Sequence, residues 1–176
     1  MDDASAQLRF RREILPHLDA AYNLARWIVG SDADAQDVVQ DAILRAFKSF
    51  DRWRGGNAHA WLLTIVRNCS YTCRQNNRRQ REIIEFDETS QIGDRSVEPS
   101  TMLIRRLDSA VLHAAITELP AEYREVIVLR EFEQLEYKQI ADVVGVPIGT
   151  VMSRLARARE RLRVALADLQ EDGEGG

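Results

Sequence analysis

Apolar and small side chains recur at helical spacing between residues 35 and 47, and this pattern constrains the fold more than any other feature of the chain. The stripe advances in steps of three and four residues and comprises Ala35, Val38, Val39, Ala42, Ile43, Ala46 and Phe47. Such spacing places all its members on one side of an α-helix. Since the 176 residues include only nine glycines and four prolines, long stretches contain no helix breaker. We therefore predict an all-α protein.

The charges divide the chain into segments. A net charge of −4 taken alone disfavours nucleic-acid binding. However, residues 52–81 hold seven arginines and no acid, and 82–98 hold six acids and one arginine. A second basic block, 150–164, has five arginines and one glutamate. The polar, aperiodic stretch between the basic blocks contains Gly and Pro, as a flexible connector does. We predict two small helical domains, 1–81 and 102–176, joined by an acidic flexible linker at 82–101.

Local signals place the helix ends in the first domain. One helix should run from Pro16 and stop at Gly30, a residue suited to a left-handed C-cap, and Ser31 offers the next N-cap. A third helix is predicted from Ala58 to about Gln75. Its apolar face comprises Trp61, Leu62, Ile65, Val66, Cys69 and Cys73.

The opposite face of this third helix combines an aromatic with arginines. It carries Thr64, Arg67, Asn68, Tyr71 and Arg74, and the basic run continues through Arg78 to Arg81. An exposed tyrosine among arginines suits single-stranded DNA, because it joins phosphate attraction to base stacking. A tyrosine partly buried at a domain interface fits the composition equally well, so both interpretations stay open.

The second domain contains a helix-turn-helix pattern. A helix marked by Leu103, Leu107, Val111 and Ala114 comes first, and another follows Pro120. A short helix from Glu136 to Val144 then ends at Gly145, and a turn at 146–149 leads into a long helix from Thr150 to about Leu169.

The long helix has two distinct faces. Its predicted inward residues are Val151, Leu155, Ala158, Leu162, Ala165 and Leu169. Its predicted exposed residues are Thr150, Ser153, Arg154, Arg157 and Arg161. Arginine on such a face can read guanine or clamp phosphate. The alternative is an arginine-rich face that only meets solvent.

Other functional classes find little support. Cys69 and Cys73 share the apolar face, and His59 is ten residues, or about 15 Å of helix, from Cys69. His17 and His113 have no ligand at motif spacing, and we expect no metal, no cofactor and no catalytic residue. Without an apolar run of spanning length we expect no membrane insertion, and a cytoplasmic protein.

Taken in order, these segments resemble the extracytoplasmic-function sigma factors of the sigma-70 family. Residues 34–47 resemble the helix that docks on the polymerase clamp, and the polar face of this helix carries Asp37, Gln40 and Asp41. Residues 52–55 with 60–68 resemble the minus-ten element, and 119–124, 137–141 and 146–159 resemble the minus-thirty-five domain. Met152 departs from the pattern, since some relatives have an arginine there that faces DNA.

The resemblance implies a factor that binds core RNA polymerase and promoter DNA, directs initiation and is restrained by an anti-sigma factor. It implies that Asp37, Gln40 and Asp41 contact polymerase. The implied minus-ten residues are Arg67, Asn68, Tyr71, Arg74 and Arg78, with Asn68 capturing an unpaired base. The implied minus-thirty-five residues are Thr150, Met152, Ser153, Arg154, Arg157 and Arg161. Two alternatives remain: a helix-turn-helix regulator that acts without polymerase, and a sigma-like decoy for an anti-sigma factor.

Overall fold

The computed structural model describes residues 3–85 and 105–173, and both ranges are helical without a strand. The first range forms α1 (Asp3–Ile14), α2 (Leu18–Val29), α3 (Asp32–Ser49) and α4 (Ala58–Glu85). The second forms α5 (Arg105–Thr117), α6 (Ala121–Ile127), a π-helical extension (Val128–Phe132), α7 (Tyr137–Val144) and α8 (Ile148–Gly173). The all-α prediction is confirmed. Within the described ranges no helix is both long and apolar enough to cross a membrane.

Helices α2, α3 and α4 pack together in the first unit, and local chemistry sets their ends. Gly30 adopts a left-handed conformation with φ of 82° and closes α2. The Ser31 hydroxyl accepts a hydrogen bond from the Asp34 N–H at 3.1 Å and opens α3. Both predicted caps are confirmed. They satisfy backbone groups that a helix end leaves unpaired.

The buried face of α4 is wider than its predicted stripe. Leu62, Val66 and Cys69 are buried as expected, but Leu63 and Ser70 are buried as well. The reason is that α4 packs against α2 and α3 and also against α7 of the second unit. The predicted inward residues Trp61, Ile65 and Cys73 are only half-buried.

Helix α1 had no counterpart in the sequence prediction. Its Phe10 and Ile14 are buried, and the Phe10 ring meets the rings of Phe47 and Phe50 edge-on with centroids 5.2 Å apart. Phe47 is nevertheless 44% exposed, so the end of the α3 stripe lies at the rim of the core.

The second unit is built on α6, α7 and α8. Glu136 forms a capping box with Gln139 at the start of α7, and Gly145 closes that helix with φ of 72°. The helix-turn-helix is therefore confirmed, although α8 begins at Ile148, two residues earlier than predicted.

Three details of the second unit differ from the prediction or lie beyond it. Leu169 is 50% exposed, so its predicted inward placement is wrong. Helix α8 continues to Gly173, beyond its predicted end near Leu169. Leu103 lies outside the described residues, whereas Leu107 falls within α5.

The predicted linker falls largely outside the described residues. Residues 82–85 continue α4, and 86–101 are not described. The two helical units nevertheless meet directly, because α4 packs against α7 and α2 packs against α6.

Candidate nucleic-acid interface

The first turns of α8 present the predicted minus-thirty-five side chains in differing surroundings. Ser153 and Arg157 are exposed, and Met152 is 53% exposed. Thr150 and Arg154 are half-buried, and Arg154 lies 3.8 Å from the Glu122 carboxylate. This end of α8 thus offers a hydroxyl, a thioether and guanidinium groups to a partner.

Ile148 was missed by the sequence analysis. It is the first residue of α8 and is 48% exposed, one turn before Met152. An apolar side chain at this end can contact a thymine methyl group in a major groove. The only signal in the sequence was an apolar residue in the turn segment.

Part of the predicted minus-ten face on α4 is open. Asn68 and Arg78 are exposed and Arg74 is half-buried. An open cavity of about 500 Å³ lies beside this face, lined among others by Tyr71, Arg74, Arg78 and Arg81. Guanidinium groups around such a depression favour an anionic ligand.

The other part of the face is occupied by the second unit. Tyr71, expected as an exposed residue, is half-buried, and its hydroxyl donates to Glu125 Oε2 at 3.0 Å. Arg67 donates to the same carboxylate from Nε at 2.8 Å and from Nη2 at 3.1 Å. The side chain of Glu125 is only 2% exposed. Of the two interpretations left open for Tyr71, the structure has the second: the tyrosine is partly buried at the interface between the units.

Burial and charge govern the titration of this cluster. Burial, followed by the nearby Glu125 carboxylate, raises the pKa of Tyr71 to about 12. Burial opposes the charge of Arg67, but Glu125 more than offsets this, and the pKa of Arg67 is raised. Tyr71 and Arg67 therefore both keep their protons at neutral pH and remain hydrogen-bond donors.

Further contacts join the two units. Arg124 Nη1 donates to the Trp27 carbonyl at 3.0 Å, and His59 Nε2 lies 3.1 Å from Glu133 Oε2. The Trp27 ring packs on His113, with centroids 4.5 Å apart. The acids at 125 and 133 were not singled out in the sequence, since no spacing rule relates them to α4.

The polar face of α3 points outward. Asp37, Gln40 and Asp41 are exposed, and Asp41 pairs with Arg45 at 3.1 Å. Leu44 is 59% exposed on the same helix and was not predicted as a site residue. The sequence could have indicated Leu44, because it is an apolar residue outside the predicted buried stripe of this helix.

The cysteines belong to the packing of α4. Cys69 is buried, Cys73 is half-buried, and neither forms a disulfide. Burial raises the pKa of both thiols, which disfavours the reactive thiolate. Within the described ranges no cluster of His, Cys, Asp and Glu side chains has the makings of a metal site.

Comparison with known proteins agrees with this layout. Residues 14–80 match the family model described as Sigma-70 region 2, and residues 109–162 match Sigma-70, region 4. The RNA polymerase sigma-H factor of Pseudomonas aeruginosa is 34% identical over 77% of this chain and 75% of its own length. The ECF RNA polymerase sigma factor SigE of Mycolicibacterium smegmatis is 30% identical over 94% of this chain. This chain spans 64% of the length of SigE.

Solved structures show the same fold. The sigma factor RpoE of Bartonella quintana, in complex with the anti-sigma factor NepR, superposes with a TM-score of 0.70. It is 30% identical and covers 90% of this chain and 97% of its own. CnrH, in complex with the cytosolic domain of CnrY, superposes with a TM-score of 0.64 at 26% identity, covering 94% of each chain.

The fold and the site define a two-unit helical protein with a helix-turn-helix at the end of the second unit. The two matched regions, in this order, and the identity to relatives named ECF sigma factors narrow the family further. The chain belongs to the extracytoplasmic-function sigma factors of the sigma-70 family.

Proposed function

We propose that this chain binds core RNA polymerase and directs it to a set of promoters, as its family does. The observation that carries the proposal is the presence of both sigma-70 regions in one chain, each with an outward polar or basic helix face. In this proposal the polymerase performs the chemistry and the chain contributes binding alone, in the cytoplasm where both partners are found.

The α8 face is proposed to bind the upstream promoter element. Exposed Ser153 and Arg157 are accessible to base edges or phosphates, and Met152 adds an apolar contact. The full proposed set is Thr150, Met152, Ser153, Arg154, Arg157 and Arg161. Arginine supplies both bidentate guanine recognition and phosphate attraction.

The α4 face is proposed to bind the minus-ten element during strand opening. Asn68 is exposed and can pair with the edge of an unstacked base. Arg67, Tyr71, Arg74 and Arg78 are proposed to supply phosphate attraction and a stacking surface. Arg67 and Tyr71 become available only when the bond to Glu125 is released.

The α3 face is proposed to dock on polymerase. Asp37, Gln40 and Asp41 are exposed, so the core of the unit does not need them. Leu44 adds an exposed apolar contact within the same surface. An apolar residue bordered by charges is typical of a protein interface.

Control by an anti-sigma factor is also proposed. The similar structure of the sigma factor RpoE was solved in complex with the anti-sigma factor NepR, and that of CnrH in complex with the cytosolic domain of CnrY. Because this chain has the fold of RpoE at 30% identity, we infer that it is held by a partner of the same kind.

Reconstituted transcription tests the proposal. Core polymerase is mixed with the purified chain and a library of genomic promoters, and transcripts are mapped. We expect initiation at a defined subset that shares two spaced elements. Specific duplex binding without polymerase association would instead indicate a helix-turn-helix regulator, and binding of an anti-sigma factor without transcription would indicate a decoy.

A further inference from the structure

We propose that Glu125 is an intramolecular competitor for the minus-ten surface, so that this arrangement is a closed state in which the second unit blocks the DNA-binding face of the first. The inference rests on the proposed role of α4 in promoter recognition. The two units must separate before Arg67 and Tyr71 can reach DNA.

The geometry gives Glu125 the place of a bound anion. Both oxygens of its carboxylate accept from Arg67, at 2.8 and 3.1 Å, and one also accepts from the Tyr71 hydroxyl at 3.0 Å. A paired guanidinium and phenol are the groups that would grip a phosphate and a base of a single strand. Strand and carboxylate therefore cannot occupy these side chains together.

The position of Glu125 in α6 is otherwise unexpected. It is followed by the buried residues Val126, Ile127 and Val128, and its own side chain is 2% exposed. A buried carboxylate is costly unless it is paired. Arg67, whose side chain is 21% exposed, supplies the counter-charge from the other unit.

Arg124, next to Glu125, makes both a favourable and an unfavourable contribution to the contact between the units. Arg124 donates to the Trp27 carbonyl, yet its Nε is buried without a hydrogen-bond partner among the described residues. Burial, and next the charge of Arg74, lowers the pKa of Arg124. An unsatisfied donor and a like-charge neighbour both favour separation of the units. The contact is thus suited to reversible opening.

Solution scattering on the full chain tests the contact. A compact chain of this length has a radius of gyration of about 16 Å. Glu125→Gln keeps the side-chain volume but leaves Arg67 half-buried without a counter-charge, so we expect a larger radius. Glu131→Gln is the matched control, because Glu131 is 55% exposed and pairs with Arg159 inside the second unit. The control should stay as compact as the wild type.

Exchanging the charges of Arg67 and Glu125 distinguishes loss of their ion pair from a general disturbance of the fold. Arg67→Glu alone should expand the chain, and Arg67→Glu with Glu125→Arg should restore the compact radius. Circular dichroism establishes that each variant is folded. A Glu125→Gln chain as compact as the wild type, or a folded swap variant that stays expanded, would overturn the closed state.

Competition is measured with a fluorescein-labelled oligothymidine strand. Only open molecules can bind the strand, so the apparent affinity is proportional to the fraction of molecules that are open. If about a tenth of the wild-type molecules are open and Glu125→Gln opens nearly all of them, the variant should bind about tenfold more tightly. Expansion without tighter binding would overturn the competitor role. Failure of the wild type to transcribe with core polymerase would instead contradict the proposed function and leave the scattering result intact.

Discussion

The guanidinium of Arg161 lies over the ring of Tyr123, with 5.1 Å between Cζ and the ring centroid. Tyr123 is only 8% exposed, so this arginine covers part of the core of the second unit. Arg157, one turn earlier on α8, is exposed, as Arg161 is, and its guanidinium lies beside the Tyr123 hydroxyl instead of over the ring. The two arginines of the proposed DNA-binding face therefore contact the same tyrosine in different ways, Arg161 through the face of its ring and Arg157 through its hydroxyl.

We predict that Arg157→Ala weakens promoter binding more than Arg161→Ala does. If Arg157 contacts a phosphate, its loss should weaken binding to all duplexes similarly and reduce by about one the slope of log affinity against log salt concentration. If it contacts a base, its loss should cost about 1–3 kcal/mol on the cognate sequence alone. Fluorescence titrations on cognate and scrambled duplexes at several salt concentrations distinguish these outcomes.

Arg161→Ala is expected to act mainly on stability. Losing a cation–π contact costs about 0.5–1 kcal/mol at an exposed site, and Arg161 is exposed. Urea unfolding of the purified chain measures this loss. Equal effects of the two variants on DNA binding, with no loss of stability for Arg161→Ala, would contradict the division of roles.

We predict that Asp37→Ala with Asp41→Ala lowers affinity for core polymerase roughly tenfold, because interface charges steer and orient association. Thermal stability should change little. The residues are exposed, and the pair between Asp41 and Arg45 is worth only about 0.3–0.5 kcal/mol.

Asp19→Ala with Asp142→Ala is the matched control for this pair, since it removes two exposed acids from other helices. Binding to immobilised core polymerase is compared for both double variants and the wild type. Unchanged affinity in the α3 variant would remove Asp37 and Asp41 from the docking surface.

Much of the fold could be predicted because it depends on local chemistry. Gly30 and Ser31 end one helix and begin the next through contacts within a few residues. Glu136 and Gly145 do the same for α7. Helical spacing likewise placed Asn68 and Arg157 on outward faces, because periodicity specifies which side of a helix is apolar.

The contact between the units could not be predicted, because it joins residues 58 positions apart that no periodicity relates. Glu125 lies beside an apolar run, and only the tertiary arrangement shows that Arg67 neutralises it. The same limit explains Tyr71, whose exposure depends on whether the second unit covers α4. Sequence patterns thus predicted the two units but not the surface between them.

We predict that His17 makes the fold less stable in mild acid. His17 stacks on His59 with centroids 5.0 Å apart. Burial, and next the charge of His59, lowers its pKa below 6.5, while Glu13 and Glu133 oppose the shift. Unfolded His17 binds a proton more readily than folded His17. This contribution is therefore present above pH 6.5 and is lost as pH falls below it.

Urea unfolding at about pH 7.5 and about pH 5.5 measures the effect, since this interval spans the unfolded pKa of histidine. His17→Gln should reduce the loss of stability between the two pH values. His113→Gln is the comparison variant: it removes an imidazole that packs on Trp27 and not on His59, so the loss of a ring contact is distinguished from the loss of the His17 imidazole. An identical pH dependence in the wild type and His17→Gln would exclude His17 as the source.

The last prediction concerns Asn68, which is exposed on α4 one turn after Thr64. Asn68→Ala should leave binding to the upstream duplex intact but impair strand opening. Extruding a base costs a few kcal/mol, and a chain that melts DNA must recover that cost by binding the extruded base. Permanganate footprinting of bubble thymines in the reconstituted holoenzyme measures opening directly.

A promoter supplied already melted should partly rescue Asn68→Ala, because the cost of base extrusion has then been met. Asn23→Ala is the matched control, since it makes the same substitution at an exposed position of α2, away from the residues proposed to bind DNA or polymerase. It should open duplex promoters as the wild type does. If Asn68→Ala also opens them as well as the wild type, then Asn68 does not capture a base, and selectivity at the minus-ten element must reside in other residues of the first unit.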